Sequence, residues 1–189
     1  MAEQLKQLAV AVLLFCVLPA ITQAQSLNSS VKATNSQTIR ILADGDYFPA
    51  LMELLDHSSL SIDLTMFIFK TGKSKGNRPA QIRDGLIRAN NRGVKVRVFL
   101  ERSGYDEQLN KSNRKVAGEL SAAGVMVIFE SPKTTTHNKM VVVDHRYAIV
   151  GSHNFTQAAL KYNHELSLLI ENRELAEKLV SYMEKSIQP

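Results

Sequence analysis

His137, Lys139, Ser152 and Asn154 fall within one short stretch, THNKMVVVDHRYAIVGSHN. An imidazole can attack phosphorus or carry a proton. An ammonium supplies charge, and a hydroxyl and an amide supply hydrogen bonds. Together these groups suit an anionic phosphate, held and attacked at one point. Side chains alternate along a strand, so a strand through His137 and Lys139 turns both to one side. The apolar run Met140–Val143 would anchor that strand in a core. After a turn at Asp144–Arg146, the run Tyr147–Val150 would return alongside it and bring Ser152 and Asn154 back to the His137 end. Asp144 then sits at the far end of the hairpin, where it is expected to hold the turn rather than to react.

The elements that must position this hairpin can be read from apolar periodicity. Strands are expected at Thr38–Ala43, Leu60–Phe69, Val94–Glu101, Val125–Glu130 and Glu165–Glu171. Helices are expected near Phe48–Ser58, Pro79–Asn90, Asn110–Ala123 and Arg173–Ile187, with Gly93 and Gly124 as stops and Asn172 as a cap. The run at Leu60–Phe69 reads as buried on both faces, and the alternation at Val94–Glu101 as half-buried. Strands alternating with helices argue an α/β fold, a mixed β-sheet flanked by helices on both faces. The mixed character comes from the hairpin.

The first residues read differently. Lys6 is followed by an apolar run at 8–18, then by Pro19 and a small-residue site ending at Ala24. That order predicts a signal peptide at 1–24 and hence a periplasmic or secreted bacterial protein. The apolar run is short for a membrane span, which needs about 20 residues. No stable membrane association is expected after cleavage; an uncleaved anchor is the alternative. Residues 25–37, rich in Ser, Asn, Thr and Gln, read as a flexible leader, and 38–189 as one domain. The only cysteine, Cys16, lies in the signal, so the remaining chain can form no disulfide and no cysteine-based zinc site. The formal net charge of +5 favours a polyanionic partner without choosing one.

The pattern His137, Lys139, Asp144, then Gly151, Ser152 and Asn154, resembles the HxKxxxxD…GSxN signature of the phospholipase D superfamily. It is most similar to the single-motif, Nuc-type bacterial endonucleases. The resemblance implies a phospholipase D-like sandwich and a metal-independent phosphodiesterase working through a covalent phosphohistidine. His137 would be the nucleophile, Lys139 and Asn154 would bind the non-bridging oxygens, and Ser152 would support them. Glu165 would hydrogen-bond His137 and orient it. No cofactor and no metal is needed in that scheme, since Lys139 and Asn154 take a cation's place. The scheme does need two histidines, and this chain carries the motif once. A homodimer with both His137 residues in one composite site is therefore expected.

The function expected is a non-specific endonuclease on DNA, with RNA as a further substrate. A phospholipase D or cardiolipin hydrolase is the alternative, because the same groups would attack a lipid phosphodiester. A non-catalytic nucleic-acid-binding module is the third reading. The basic loop carrying Lys70, Lys73, Lys75 and Arg78 is either solvated surface or a track for the phosphate backbone. Phe69, Tyr147 and Phe155 are expected in the core rather than stacked on bases. A metal site built from His137, His153, His164 and Glu165 is disfavoured, because its spacing fits no standard motif and Lys139 would repel a cation.

Overall fold

Ser61–Met66 (β2) is buried at every position, as expected for a strand in the middle of a sheet covered on both faces. The computed structural model describes residues 38–131 and 133–186. Around β2 the chain builds one seven-stranded sheet from Thr38–Ala43 (β1), Lys95–Leu100 (β3), Met126–Phe129 (β4), Lys139–Val143 (β5), Tyr147–Gly151 (β6) and Leu166–Glu171 (β7). The strand order is β1-β7-β6-β5-β2-β3-β4. β2, β3 and β4 run parallel, whereas β5, β6, β7 and β1 pair antiparallel. The mixed α/β sheet expected from the sequence is therefore the one formed.

Among the described residues five α-helices accompany it: Tyr47–His57 (α1), Arg78–Asn91 (α2), Glu107–Ala122 (α3), Gln157–Lys161 (α4) and Arg173–Ser186 (α5). The larger core lies on one face, where Leu51, Leu55, Ile82, Leu86, Val116 and Leu120 pack on Ile62, Leu64, Val98 and Val141. On the other face α5 seats Ala176, Val180 and Met183 on Phe99, Met140, Val142 and Ala148. Alternate residues of β5 thus serve opposite faces, as the pleat requires. β3 departs from the half-buried expectation: Val98, Phe99 and Leu100 are all buried, because helices cover both sides there.

Caps explain the boundaries. Asn77 accepts from the Ala80 N–H at the start of α2, and Asp106 from the Leu109 N–H at the start of α3. Asp106 starts α3 about a turn earlier than apolar periodicity predicts. Asn172 caps the final helix through the Leu175 N–H. α4, capped by Thr156, is too short to show periodicity and escapes the sequence reading. The expected signal peptide and leader lie outside the described residues.

Candidate active site

His137 stands just before β5, in a segment without regular structure, and not on the strand itself. The strand begins at Lys139, so the shared orientation of the two side chains is set by contacts rather than by pleat. Lys139 is 8% exposed; its Nζ donates to the His137 carbonyl at 2.7 Å and lies 5.0 Å from the centre of the Phe67 ring. The same Phe67 ring meets the exposed His137 imidazole edge-on, with centroids 4.5 Å apart. One aromatic ring therefore braces both the imidazole and the ammonium. Asn138 reaches across to the Tyr182 hydroxyl at 3.0 Å, tying the segment to α5.

The electrostatics suit a nucleophile. Partial burial, together with the charge of Lys139, holds the His137 imidazole below its ordinary titration range, and Glu101 pulls the other way. A neutral ring with a free lone pair is thus the form present at neutral pH. Burial lowers the Lys139 ammonium, and Glu165 offsets this by favouring its charge.

Ser152 and Asn154 return to the same end, as the hairpin predicts. Gly151 permits that return, because a Cβ there would collide with Ser167 and with the Leu166 carbonyl of β7. His153 is fully buried between the two polar residues. Its ring bonds Ser167 Oγ at 2.8 Å and the Asp44 carbonyl at 3.1 Å, and stacks on Tyr47 at 4.2 Å. On the other side of Asn154, the Phe155 N–H donates to the Ile68 carbonyl and the Lys70 N–H to the Phe155 carbonyl. Asn154 is clamped between these anchors, and its buried Oδ1 has no partner among the described residues.

Glu165 departs from the role that the resemblance implies. Its carboxylate accepts from Ser152 Oγ and from Asn163 Nδ2, and not from His137. Ser152 is likewise committed, accepting from the Leu166 N–H at 3.1 Å while bonded to Glu165. Glu165 thus bonds Ser152, and its charge favours that of the Lys139 ammonium. The carboxylate whose charge reaches His137 is Glu101.

Asp144 lies at the other end of β5. It accepts from the N–H groups of Ser59, Leu60 and Ser61, joining the hairpin turn to the start of β2. Its backbone and that of His145 are left-handed, with φ of 54° and 48°, the conformation of a tight hairpin turn.

Lys70, Lys73 and Lys75 are exposed on the loop between β2 and α2. Arg78 is not free in the same way: its guanidinium bonds the Leu160 carbonyl and lies 5.0 Å from the Phe48 ring centre. Phe69 and Phe155 are buried in the core against each other. The histidines do not gather around one point: both ring nitrogens of His153 are occupied, and His164 pairs with Asp44 at the surface.

Several residues that hold the site were not foreseen. Asp44 exchanges backbone contacts with Glu165: its N–H donates to the Glu165 carbonyl, and its Oδ1 accepts from the Glu165 N–H at 2.8 Å. Asn113, buried on α3, bonds the Phe69 N–H and the carbonyls of Phe67 and Glu101, each at 2.9 Å. Its signal was present in the sequence: a polar residue on the apolar stripe of Leu109, Val116 and Leu120. Glu101 and Glu130, at the strand ends, carried no such signal, since acidic residues commonly mark where strands leave a core.

Residues 51–187 match the family model described as "Cardiolipin synthase, PLD-like domain", a span that includes His137, Lys139, Ser152, Asn154 and Glu165. Phospholipase D of Rickettsia felis is 41% identical over 102 residues, which is 54% of this chain and 48% of that protein. Phospholipase D of Rickettsia conorii is 40% identical over the same length and shares. The chain thus spans about half the length of these curated relatives. Among solved structures, the phospholipase D family member Nuc from Salmonella typhimurium superposes with a TM-score of 0.66 at 23% identity, over 78% of this chain and 92% of that one. NucT from Helicobacter pylori gives 0.63 at 17% identity, over 79% and 94%. These two share the fold, and the family match carries the membership: the chain belongs to the phospholipase D-like domain family.

Proposed function

We propose that the protein is an exported, metal-independent phosphodiesterase that cleaves DNA, and RNA as well, as a non-specific endonuclease. One observation carries the reading: the exposed, neutral His137 stands beside the Lys139 ammonium, at the end of the hairpin to which the chain carrying the Asn154 amide returns. His137 attacks phosphorus, forming a P–N bond as one P–O ester bond breaks. The leaving oxygen takes a proton from the protonated imidazole of a second His137. That imidazole then takes a proton from water, whose oxygen displaces His137 and releases the phosphomonoester. Lys139 and Asn154 hold the non-bridging oxygens as charge builds on them. Glu165 keeps Lys139 charged and fixes Ser152.

The second histidine comes from a second copy, so the active form is a homodimer. Export rests on the sequence of residues 1–24, and substrate class on the exposed lysines Lys70, Lys73 and Lys75 with the net charge of +5. A lipid phosphodiester is the second reading, supported by the names of the Rickettsia relatives and of the matching family model. Among the described residues no helix is long and apolar enough to cross a membrane.

The test is plasmid DNA and cardiolipin vesicles offered in parallel to purified protein in EDTA. DNA cleavage that survives EDTA supports the nuclease. Release of lipid phosphodiester without DNA cleavage moves the assignment to the phospholipase. Activity lost in EDTA and restored by a divalent cation rejects the metal-independent scheme, and light scattering that finds only an active monomer rejects the composite site.

A further inference from the structure

β4 lies at one edge of the sheet, and β5 lies three strands away, beyond β3 and β2. The chain between Phe129 and Lys139 must therefore pass across the ends of β3 and β2, and it carries His137 near the end of that crossing. Midway, the Thr136 N–H donates to Glu101 Oε2 at 2.7 Å. Glu101 is the residue that follows β3, and it is fully buried. It fastens the backbone one residue before the nucleophile. The Lys139 ammonium fastens the His137 carbonyl one residue on, so His137 is pinned from both sides.

Glu101 does not stand alone. β3 and β4 are parallel, with Leu100 opposite Phe129, and the Glu130 N–H donates to the Leu100 carbonyl at 3.0 Å. The next residues, Glu101 and Glu130, are thus abreast and on one face, that of Phe99 and Ile128. Glu130 is 2% exposed. Thr65 Oγ1 on β2 donates to its Oε1 at 3.3 Å, and Glu101 Oε1 is buried with no partner among the described residues. Among the described residues no ion pair reaches either carboxylate, and Arg102, next along the chain from Glu101, is exposed. Arg97, earlier on β3, is tied to Asp63 and Glu184, Lys139 on β5 to the His137 carbonyl, and α3 offers Glu101 only the Asn113 amide on its backbone. The charge of Glu101 reaches the His137 imidazole and favours its protonated form. Two adjacent buried carboxylates without a cation do not both ionise.

We propose that Glu101 and Glu130 are positioning residues, a buried carboxyl pair that shares one proton and holds the His137 segment across the strand ends. Glu101 accepts the Thr136 N–H. Glu130 carries the proton and relieves the repulsion that would otherwise push Glu101 and its burden out of the interior. Burial and the neighbouring Glu101 push the Glu130 carboxyl up to about 7, so the pair is poised near neutrality. Loss of the proton at higher pH loosens the fastening and displaces the nucleophile. The sign follows from the raised value: the pair is intact below it and fails as pH rises through it.

The proposal rests on His137 being the phosphodiesterase nucleophile for its effect on rate, but the fastening can be read without any substrate. In Glu101→Ala, turnover of bis-p-nitrophenyl phosphate should fall by about 10²-fold with KM within about threefold, the expected cost of a misplaced reacting group. Glu101→Gln keeps an acceptor for the Thr136 N–H and should recover most of that loss, which separates position from charge and guards against an alanine variant that folds poorly. Independently, the Thr136 amide resonance should show an inflection near pH 7 in the unaltered protein and none in Glu130→Gln. An inflection that persists in Glu130→Gln belongs to another group and overturns the shared proton. Unchanged kcat and unchanged Thr136 amide exchange in Glu101→Ala overturn the fastening. A protein that turns over no phosphodiester refutes the assigned activity, while the amide readout still decides the pair.

Discussion

The two ends of the β5–β6 hairpin carry residues of one signature and use them in opposite ways. At the turn end, Asp144 collects three backbone N–H donors and the Ser59 hydroxyl, so its acceptor capacity is consumed. At the open end, the His137 ring is exposed and is held edge-on against Phe67. A group whose hydrogen bonds are spent inside the protein can only hold it together. A group left open, and held in place by its neighbours rather than by its own bonds, is available to an incoming phosphate.

Substitutions at the two ends should separate accordingly. The largest effect is expected at the open end: His137→Ala should lower phosphodiester turnover by about 10⁴-fold or more, with thermal stability unchanged within a degree or two. Lys139→Ala should follow at about 10²- to 10³-fold, as for a lost charge-stabilising donor. Single-turnover kinetics beside thermal melting measures both. A His137→Ala protein that melts far below the unaltered one would merge the two ends and break the distinction.

At the turn end the pattern inverts. Asp144→Ala strips the partner from three backbone donors and should cost about 2 kcal/mol of stability, while turnover per folded molecule stays within about twofold. Urea unfolding and activity on the same samples measure this, and a selective loss of turnover would move Asp144 into the chemistry. Burial opposes the Asp144 charge, but the N–H donors from Leu60, Ser61 and Ser59 prevail and hold its carboxyl below the usual range. Its contribution is therefore complete above the unfolded carboxyl value of about 3.9 and is lost as pH falls through the lower folded value. In Asp144→Ala the stability profile should be flatter in that acid window.

Smaller effects sharpen the open end. Neutralising Lys73 and Lys75 to Gln should reduce the slope of log binding constant against log salt by up to about 2 if both contact phosphates, with turnover at saturation unchanged. Identical slopes would make the loop solvated surface. The depressed His137 imidazole predicts that the acid limb of kcat/KM lies below the ordinary histidine value of about 6.5, because the neutral ring is the attacking form. In Glu101→Gln that limb should move to still lower pH, since the carboxylate that favours the protonated ring is gone.

The sequence alone determined which chemistry this protein can hold. Residue type and spacing from His137 to Asn154 placed ammonium and amide at the open end of one hairpin, with the imidazole just before it, because a tight turn between two apolar runs is a local rule that a linear pattern expresses. The mixed sheet with helices on both faces was legible for the same reason. Tertiary structure alone decided what holds those groups. Asp44 meets Glu165, His153 meets Tyr47, Asn113 staples the ends of β2 and β3, and Glu101 stands abreast of Glu130 under Thr136. Each of these pairings joins residues distant in the chain through sheet order and register. It also decided that Glu165 serves Ser152 and Lys139 rather than His137. Partner choice for a buried polar group depends on which strands become neighbours, and no single stretch of sequence carries that information.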